Sequence, residues 1–147
     1  MVVYHGSLDR IEEGFRPLSH FGTEVAARRR IDQKRTEAPG QVGYLHEVEL
    51  TFDRALRLRD WGTNRPHDIL CHDLLRAAGC PQWRISRAVT GGNPVERTVD
   101  HLVAEGYDAA AYANEVEDPG SLSYLNLTAG QATIQSTTVV GGPSANG

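Results

Sequence analysis

Cysteine is scarce in this chain: Cys71 and Cys80 are the two present among 147 residues. Two cysteines cannot build the framework of several disulfides on which small secreted domains depend, so the sequence favours a reducing compartment. A single bridge between the two stays open at this point. The chain is long enough to bury a hydrophobic core without covalent or metal support.

Long hydrophobic runs are also missing. No stretch approaches the roughly 20 apolar residues that a membrane-spanning helix requires. The first residues carry Asp9, Glu12 and Glu13 where a secretory signal would have its apolar core. We therefore expect no membrane partner and a cytoplasmic location. A domain cut from a larger secreted protein would be the exception to that expectation.

Positive charge is not in excess, because 15 Lys and Arg residues stand against 19 Asp and Glu residues and the net charge is -4. Non-specific nucleic-acid binding normally rests on a basic face, so this balance does not require such a partner, although a local basic patch is compatible with it. Hydrophobic residues make up 39% of the chain, which is typical of a globular protein. We predict one domain over residues 1–140 and a disordered tail over 141–147.

Apolar periodicity and turn residues predict a mixed order of strands and helices. The first strand is Val2–Ser7, followed by a short helical turn and a loop over Leu8–Ser19. Thr23 is a suitable N-cap for a helix over Glu24–Arg35. The later elements are a strand over 42–52 with a short continuation at 55–59, a loop over 60–65, helices over 66–79 and 94–105, and strands over 108–113, 122–127 and 132–140.

The order of these elements favours an α+β fold with mostly antiparallel strands flanked by helices. Residues 82–89 fit neither the helical nor the extended pattern clearly. The apolar faces of the second and third helices are predicted from residues three and four apart. They are Ile69, Leu70, Leu74 and Leu75 in one helix, and Val95, Val99, Leu102 and Val103 in the other.

Three stretches place polar groups beside a glycine at the end of an apolar element, where a rigid scaffold presents functional groups. They are Tyr4-His5-Gly6-Ser7, His20-Phe21-Gly22-Thr23, and the carboxylate-rich stretch Asn114–Tyr124. In the first stretch, Gly6 would let a ligand approach the backbone closely. An ordinary strand-to-loop junction is the alternative interpretation of that stretch taken alone.

In this order the three stretches resemble the ADP-ribosyltransferase superfamily. The similarity is to the group with histidine in its first motif, which includes diphtheria toxin and the poly-ADP-ribose polymerases. It extends to small bacterial and phage toxin-like members that begin with Tyr-His-Gly-Ser, continue with His-Phe-Gly-Thr and carry Asn-x-x-Glu-Asp-x-Gly-Ser-x-Ser-Tyr as a third motif. The ordered motifs span nearly the whole chain.

The resemblance implies a split, partly open antiparallel β-sandwich flanked by helices, with NAD bound in its cleft. His5 would hydrogen-bond the adenosine ribose, and the Gly6 backbone would hold the nicotinamide carboxamide. Phe21 would take the place of the family's stacking tyrosine, and Tyr124 is a second candidate for the nicotinamide face. The implied NAD-binding residues are His5, Gly6, Ser7, Phe21, Gly22, Thr23 and Tyr124.

Cleavage of the bond between nicotinamide and ribose develops positive charge on the sugar, so the reaction needs a nearby carboxylate. Alignment by the Ser-Tyr-Leu-Asn-Leu run puts Ser123 where polymerase-type relatives carry glutamate. The acid must then come from the preceding loop. Glu117, in the densest part of that loop, is the first choice as the catalytic partner of His5, ahead of Glu115 and then Asp118. The alternative is that all three carboxylates are solvated loop charges.

The expected function is transfer of ADP-ribose from NAD, used as a substrate, to a protein or nucleic-acid acceptor. The enzyme would be a bacterial or phage toxin or defence effector, with an antitoxin or immunity protein as a partner. One alternative is an NAD glycohydrolase, and another is an RNA 2′-phosphotransferase-like enzyme that uses His5 and His20. A non-catalytic binding module is the third alternative, favoured by Ser123. The basic runs Arg28–Arg30 and Lys34-Arg35 are interpreted as a solvated helix face, although the first is compatible with a nucleic-acid acceptor.

Other patterns favour ordinary structure over chemistry. Gly91-Gly92-Asn93 lacks the lysine of a phosphate-binding loop and is predicted to be a turn. Trp61 and Trp83 are predicted to pack in the core. Ligands of the zinc type occur at four positions whose spacing matches no familiar finger, so we expect no metal site; these positions are His67, Cys71, His72 and Cys80.

Overall fold

The computed structural model describes residues 1–58 and 67–141. Four helices and two mainly antiparallel sheets are present in these ranges, which confirms the α+β class. The strands are β1 (Val2–Ser7), β2 (His20–Phe21), β3 (Gly43–Leu50), β4 (Ala55–Leu58), β5 (Ala109–Asn114), β6 (Ser121–Asn126) and β7 (Ala132–Val140). The helices are α1 (Glu24–Glu37), α2 (His67–Ala77), α3 (Gln82–Val89) and α4 (Pro94–Ala104), and a 3-10 turn covers Ala129–Gln131.

The first sheet contains β1, β3 and β7, with β3 in the middle and both pairings antiparallel. Successive side chains of a strand point to opposite faces of the sheet. Val3 and Val48 therefore lie on one face, where they pack with Phe15. Leu45 lies on the other face and packs with Ile31 of α1. Each face of this sheet thus has its own apolar cluster.

Helix α1 begins at the predicted cap and packs closely on the first sheet. Thr23 Oγ1 accepts a hydrogen bond from the Ala26 N–H at 3.1 Å, which satisfies one of the free donors at the start of the helix. A Cβ atom on Gly6 would collide with the carbonyl oxygen of Ala27, and one on Gly43 would collide with the side chain of Ile31, also in α1. Two glycines therefore set the distance between α1 and the sheet.

The second sheet has the order β2-β6-β5-β4. β2 and β5 pair antiparallel with β6, whereas β4 runs parallel to β5. The segment predicted to continue the strand over 42–52 is therefore a strand of another sheet, and that prediction is wrong. This sheet forms the largest core cluster together with α2 and α4, and its buried members include Leu58, Leu70, Leu74, Leu102 and Tyr112.

The two sheets meet at β1 and β2. Tyr4 and Gly22 form an isolated antiparallel bridge, with N–H to carbonyl distances of 2.8 and 2.9 Å in the two directions. The segment before β2 is tied to β6 as well, because the Leu18 N–H donates to the Asn126 carbonyl at 2.8 Å. Ser19 donates its N–H to the side-chain oxygen of the same asparagine at 2.9 Å. Backbone bonds thus fix the junction between the sheets.

Residues 82–89, to which the sequence assigned no element, form α3. Other local predictions are wrong. Leu8–Ser19 contains no helical turn. Ile69 and Val103 were assigned to apolar helix faces but are exposed, because α2 and α4 bury a narrower stripe than their sequences offer. Trp83 is 59% exposed and does not pack in a core.

Cys71 and Cys80 are both buried and no disulfide joins them, so the bridge that the sequence left open is not formed. Within 1–58 and 67–141, no group of three or more His, Cys, Asp or Glu residues is arranged to hold a metal ion. None of the helices described here is both long enough and apolar enough to cross a membrane. The predictions for the loop over 60–65, for Trp61 and for the tail beyond Gly141 lie outside the described residues.

Candidate functional site

A narrow cleft lies where the two sheets meet α1. It leaves about 20 Å³ of water-accessible space, roughly the room for one water molecule. All three predicted stretches contribute lining residues: Tyr4 and Gly6, His20 to Gly22, and Asn114, Glu117 and Ser123. Helix α1 and strand β5 add Ala26, Ala27, Arg30 and Tyr112.

Glu117 is the buried acid of this cleft, with 2% of the residue exposed. Its Oε1 accepts a hydrogen bond from Asn114 Nδ2 at 3.4 Å, and its backbone N–H donates to Asn114 Oδ1 at 2.9 Å. Its Oε2 is buried and has no hydrogen-bond partner among the described residues. Arg30 Nη1 lies 3.9 Å from Oε2, beyond hydrogen-bond distance. A buried carboxylate oxygen without a donor is costly, and it marks a position that a ligand can complete.

The other two candidate acids are placed differently. Glu115 is exposed, and Asp118 is half-buried. Asp118 Oδ2 accepts a hydrogen bond from Thr23 Oγ1 at 2.6 Å, which ties the β5–β6 loop to the start of α1. Of the three carboxylates, Glu117 alone lines the cleft.

A chain of hydrogen bonds connects Glu117 to His20 across the second sheet. Asn114 Nδ2 donates to Ser123 Oγ at 2.9 Å, and Ser123 hydrogen-bonds the Tyr112 hydroxyl. That hydroxyl lies 2.8 Å from His20 Nδ1. Burial raises the pKa of Tyr112 above its ordinary value, so its hydroxyl stays protonated. The buried chain holds Asn114 in place, and Asn114 in turn orients Glu117.

Arg30 is a cleft residue that the sequence analysis missed. It lies four residues after Ala26, so the two share the buried face of α1, and its side chain is 24% exposed. Its Nε is buried without a hydrogen-bond partner in the described part of the chain. The interpretation of the basic run as a solvated face holds for Arg28, which is exposed. Arg29 is tied to the loop instead, because its Nη1 donates to the Glu117 carbonyl at 3.0 Å.

His5 does not line the cleft. Its ring lies on the face of β1 opposite Gly6, at 5.0 Å from the Phe15 ring and 5.7 Å from the Phe21 ring. Its Nδ1 is 2.6 Å from the His20 carbonyl oxygen, which can only accept, so Nδ1 carries the proton and Nε2 a lone pair. Burial lowers the pKa of His5 to about 4. The ring is therefore neutral at pH 7.

His46 is a second histidine on the same face, with its ring centroid 6.0 Å from that of His5. The Ile11 N–H donates to His46 Nε2 at 3.1 Å, so the proton of the neutral ring is on Nδ1, which lies 3.2 Å from the His5 carbonyl. Burial lowers the pKa of His46 as well. The His46 ring thus donates to the backbone of His5, its partner residue in the β1–β3 pairing.

Neither predicted stacking ring is exposed to a ligand in the cleft. Phe21 contributes to the lining, but the residue is 1% exposed and its ring packs edge to face on Phe15 at 4.9 Å. Tyr124 packs against Phe52 at 5.3 Å and does not line the cleft. Because side chains alternate along β6, the strand that turns Ser123 toward the cleft turns Tyr124 away from it.

The remaining predicted site residues shape the backbone around the cleft. Ser7 Oγ accepts a hydrogen bond from the Asp9 N–H at 3.0 Å and so stabilises the turn after β1. A Cβ on Gly22 would lie 2.8 Å from Ser123 Oγ, so glycine is needed for this approach. Thr23 holds the start of α1 and, through its hydroxyl, the β5–β6 loop.

Asn114 was part of the third motif, but the sequence assigned it no role. Its signal is the spacing of three residues to Glu117, at which an asparagine side chain can accept from a backbone N–H within one turn. No family model, no curated protein and no solved structure matches the chain. The geometry of the cleft and the resemblance of the three motifs are therefore the observations that bear on function.

Proposed function

We propose that this chain is an ADP-ribosyltransferase that uses NAD as its substrate and holds it between the two sheets. The observation that carries the proposal is the buried Glu117 carboxylate, whose Oε2 lacks a donor in the described part of the chain and whose side chain lines the cleft. The two sheets, joined at Tyr4 and Gly22, also support a split, partly open β-sandwich like that of the family.

Glu117 has the properties that the chemistry requires. When the bond between C1′ of the ribose and N1 of nicotinamide breaks, the electron pair leaves with nicotinamide and positive charge develops on the sugar. A preorganised carboxylate in a water-poor site stabilises that charge. The acceptor atom then forms a bond to C1′ and loses its proton to solvent. Asn114 holds Oε1 and leaves Oε2 for the sugar.

Arg30 has to move for NAD to enter, because the cleft has room for about one water molecule. Within the described residues its side chain makes no hydrogen bond, and its ion pair with Glu117 is long, at 3.9 Å. Little interaction energy therefore opposes an outward rotation of the guanidinium. In the outward position it can pair with the diphosphate of NAD, for which its planar donors are suited.

In this proposal His5 binds the adenosine ribose of NAD. Its neutral ring has Nδ1 occupied by the His20 carbonyl, so Nε2 is the atom that can accept a hydrogen bond from a ribose hydroxyl. NAD would then cross β1, with nicotinamide at Glu117. The acceptor is a protein or a nucleic acid, and a toxin or defence effector of this kind would have an antitoxin or immunity protein as a partner.

Nicotinamide release tests the proposal. The protein is incubated with NAD, alone and with cell extract, as wild type, as Glu117→Gln and as the matched control Glu115→Gln, which removes an exposed carboxylate from the same loop. Glu117→Gln is expected to reduce release about 100-fold or more, because an amide does not stabilise the charged sugar. Glu115→Gln should behave like wild type, and thermal unfolding checks that both variants are folded.

Equal release by wild type and folded Glu117→Gln would overturn the assignment of the acid. Release that proceeds equally without any acceptor would make the protein an NAD glycohydrolase. If nicotinamide is released under no condition, the proposal of an enzyme is wrong and the chain is a non-catalytic binding module.

An RNA 2′-phosphotransferase-like activity is the second candidate, because His20 and Arg30 both line the cleft and both can bind phosphate. The carboxylate of Glu117 in the same cleft opposes an anionic substrate, since like charges repel. Nicotinamide release that depends on an added 2′-phosphorylated RNA would select this candidate over transfer to a protein.

A further inference from the structure

A second surface lies between α3 and α4 and shares no residue with the cleft. It is a groove of about 410 Å³ whose floor includes Leu75 and Cys80. We call it the α3–α4 groove. Its polar lining is dominated by three arginines and one histidine: Arg84, Arg87, Arg97 and His101.

The α3–α4 groove concentrates positive charge in a chain whose net charge is -4. None of the described Asp or Glu residues lines it. Arg84 and Arg87 are exposed, and neither forms an ion pair with a carboxylate in the described part of the chain. Two exposed guanidinium groups three residues apart on one helix face are thus available to an anion.

The Arg97 side chain is held in one position at the side of the groove. Its Nε donates to the Ala88 carbonyl at 2.9 Å, and its Nη2 donates to the Thr90 carbonyl at 2.9 Å. These bonds hold the guanidinium against the end of α3, so its position does not have to be ordered when a ligand binds.

Trp83 stands beside this basic surface. It is 59% exposed, and the Arg84 guanidinium carbon lies 5.3 Å from the centre of its ring. Four residues separate Trp83 from Arg87, so the two side chains are neighbours on α3. The exposed ring and the neighbouring arginines together form a combined aromatic and cationic surface.

We propose that the α3–α4 groove binds single-stranded nucleic acid. Arg84, Arg87 and Arg97 would contact successive phosphates, and the Trp83 ring would stack on a base. Basic grooves combined with exposed aromatic rings bind single strands without strong sequence preference, because every base has a face on which to stack. An acidic polypeptide would use the arginines but has no comparable use for the indole. Both components of the surface are therefore accounted for by a nucleic acid.

Fluorescence anisotropy with a labelled single strand of about 12 nucleotides, as RNA and as DNA, tests the proposal. NAD is absent, so the result does not depend on ADP-ribosyl transfer. We expect dissociation constants of about 1 to about 100 µM that weaken as salt rises from about 50 to about 200 mM. The double variant R84Q/R87Q should bind at least about tenfold more weakly, with a salt slope lower by about 1.4, because each phosphate contact on a single strand contributes about 0.7.

The matched control is R10Q/R28Q, which removes the same charge from exposed arginines of other elements and should retain wild-type affinity. Trp83→Leu should weaken binding while leaving the salt slope unchanged, because stacking releases no counterions. The proposal fails if wild type does not bind, if R84Q/R87Q binds like the control, or if poly-glutamate competes as well as the oligonucleotide. The last outcome would assign the groove to an acidic polypeptide.

Discussion

Glu117 keeps one carboxylate oxygen without a donor in the described part of the chain, although the residue is almost completely buried. Such an arrangement costs about 1 to 3 kcal/mol of folding free energy, and Asn114 limits the cost by binding the other oxygen and the backbone N–H. A fold under selection for stability alone would place an apolar side chain or a second donor there. A ligand that donates to Oε2 would remove this cost, as the proposed role of Glu117 requires.

Acid is expected to destabilise the protein through His5. Burial lowers the pKa of His5 from 6.5 to about 4. Between these values the unfolded chain binds a proton at this ring and the folded chain does not, so the free energy of unfolding decreases as the pH falls. Above pH 6.5 the ring is neutral in both the folded and the unfolded chain. As the pH falls through 6.5 and then 4, the free energy of unfolding decreases by up to about 3 kcal/mol in total. Urea unfolding at intervals between pH 7.5 and pH 4 measures it.

His5→Asn is the variant for comparison, since its amide can still donate to the His20 carbonyl but does not titrate. Carboxylates contribute to acid denaturation in both proteins, and so does His46, whose pKa burial also lowers. The variant should nevertheless lose less stability than wild type over this range. An identical pH dependence in the two proteins would show that His5 is not held neutral.

At the scale of the element, the contact between α1 and β1 determines where the cleft can form. Thr23 begins the helix and also bonds the β5–β6 loop, while Gly6 lets the helix lie close to the strand. The same helix carries Arg30 into the cleft. A displacement of α1 therefore changes the distance between Arg30 and Glu117.

Gly6→Ala is expected to destabilise the protein by about 1 to 3 kcal/mol, because a Cβ at this position collides with the α1 backbone and the helix must shift. The control is Gly130→Ala, where a Cβ would have no neighbour within 4 Å, and its change should stay within about 0.5 kcal/mol. Urea denaturation of both variants measures the difference. Equal stabilities would mean that α1 accommodates the methyl group without displacement.

Local chemistry explains which elements the sequence predicted. The Thr23 cap and the alternation in β3 and β6 are properties of neighbouring residues, so their bounds were close to the observed ones. β4 was misassigned because its partner, β5, begins at Ala109 and no local pattern reveals a parallel pairing. Glu117 was chosen for the density of charge in its loop, whereas its burial depends on α1 and Asn114. Arg30 was not predicted, because the basic run was interpreted by its charge alone. Its position four residues after Ala26 places it on the buried face of α1.

For the whole molecule, the two cysteines predict independence from reducing agents. Both are buried thiols in different core clusters, with no disulfide between them. The unfolding temperature should therefore agree within about 1 °C with and without dithiothreitol. Cys71, which is completely buried, should react with a thiol reagent only at concentrations of urea that unfold the protein, whereas Cys80 lines the α3–α4 groove. Rapid labelling of Cys71 under native conditions, or a shift of the unfolding temperature on reduction, would contradict this arrangement.

Both sheets are assembled from strands at opposite ends of the chain. β3 pairs with β7, and His20 of β2 pairs with Leu125 of β6. Contacts of such long range make folding wait for the closure of large loops. A ribosome that has released residues 1–104, through α4, has delivered neither the partner of β2 nor Glu117. The cleft therefore cannot form until β5, Glu117 and β6 have left the ribosome, and a chain that stops before β6 lacks both Ser123 and the partner strand of β2.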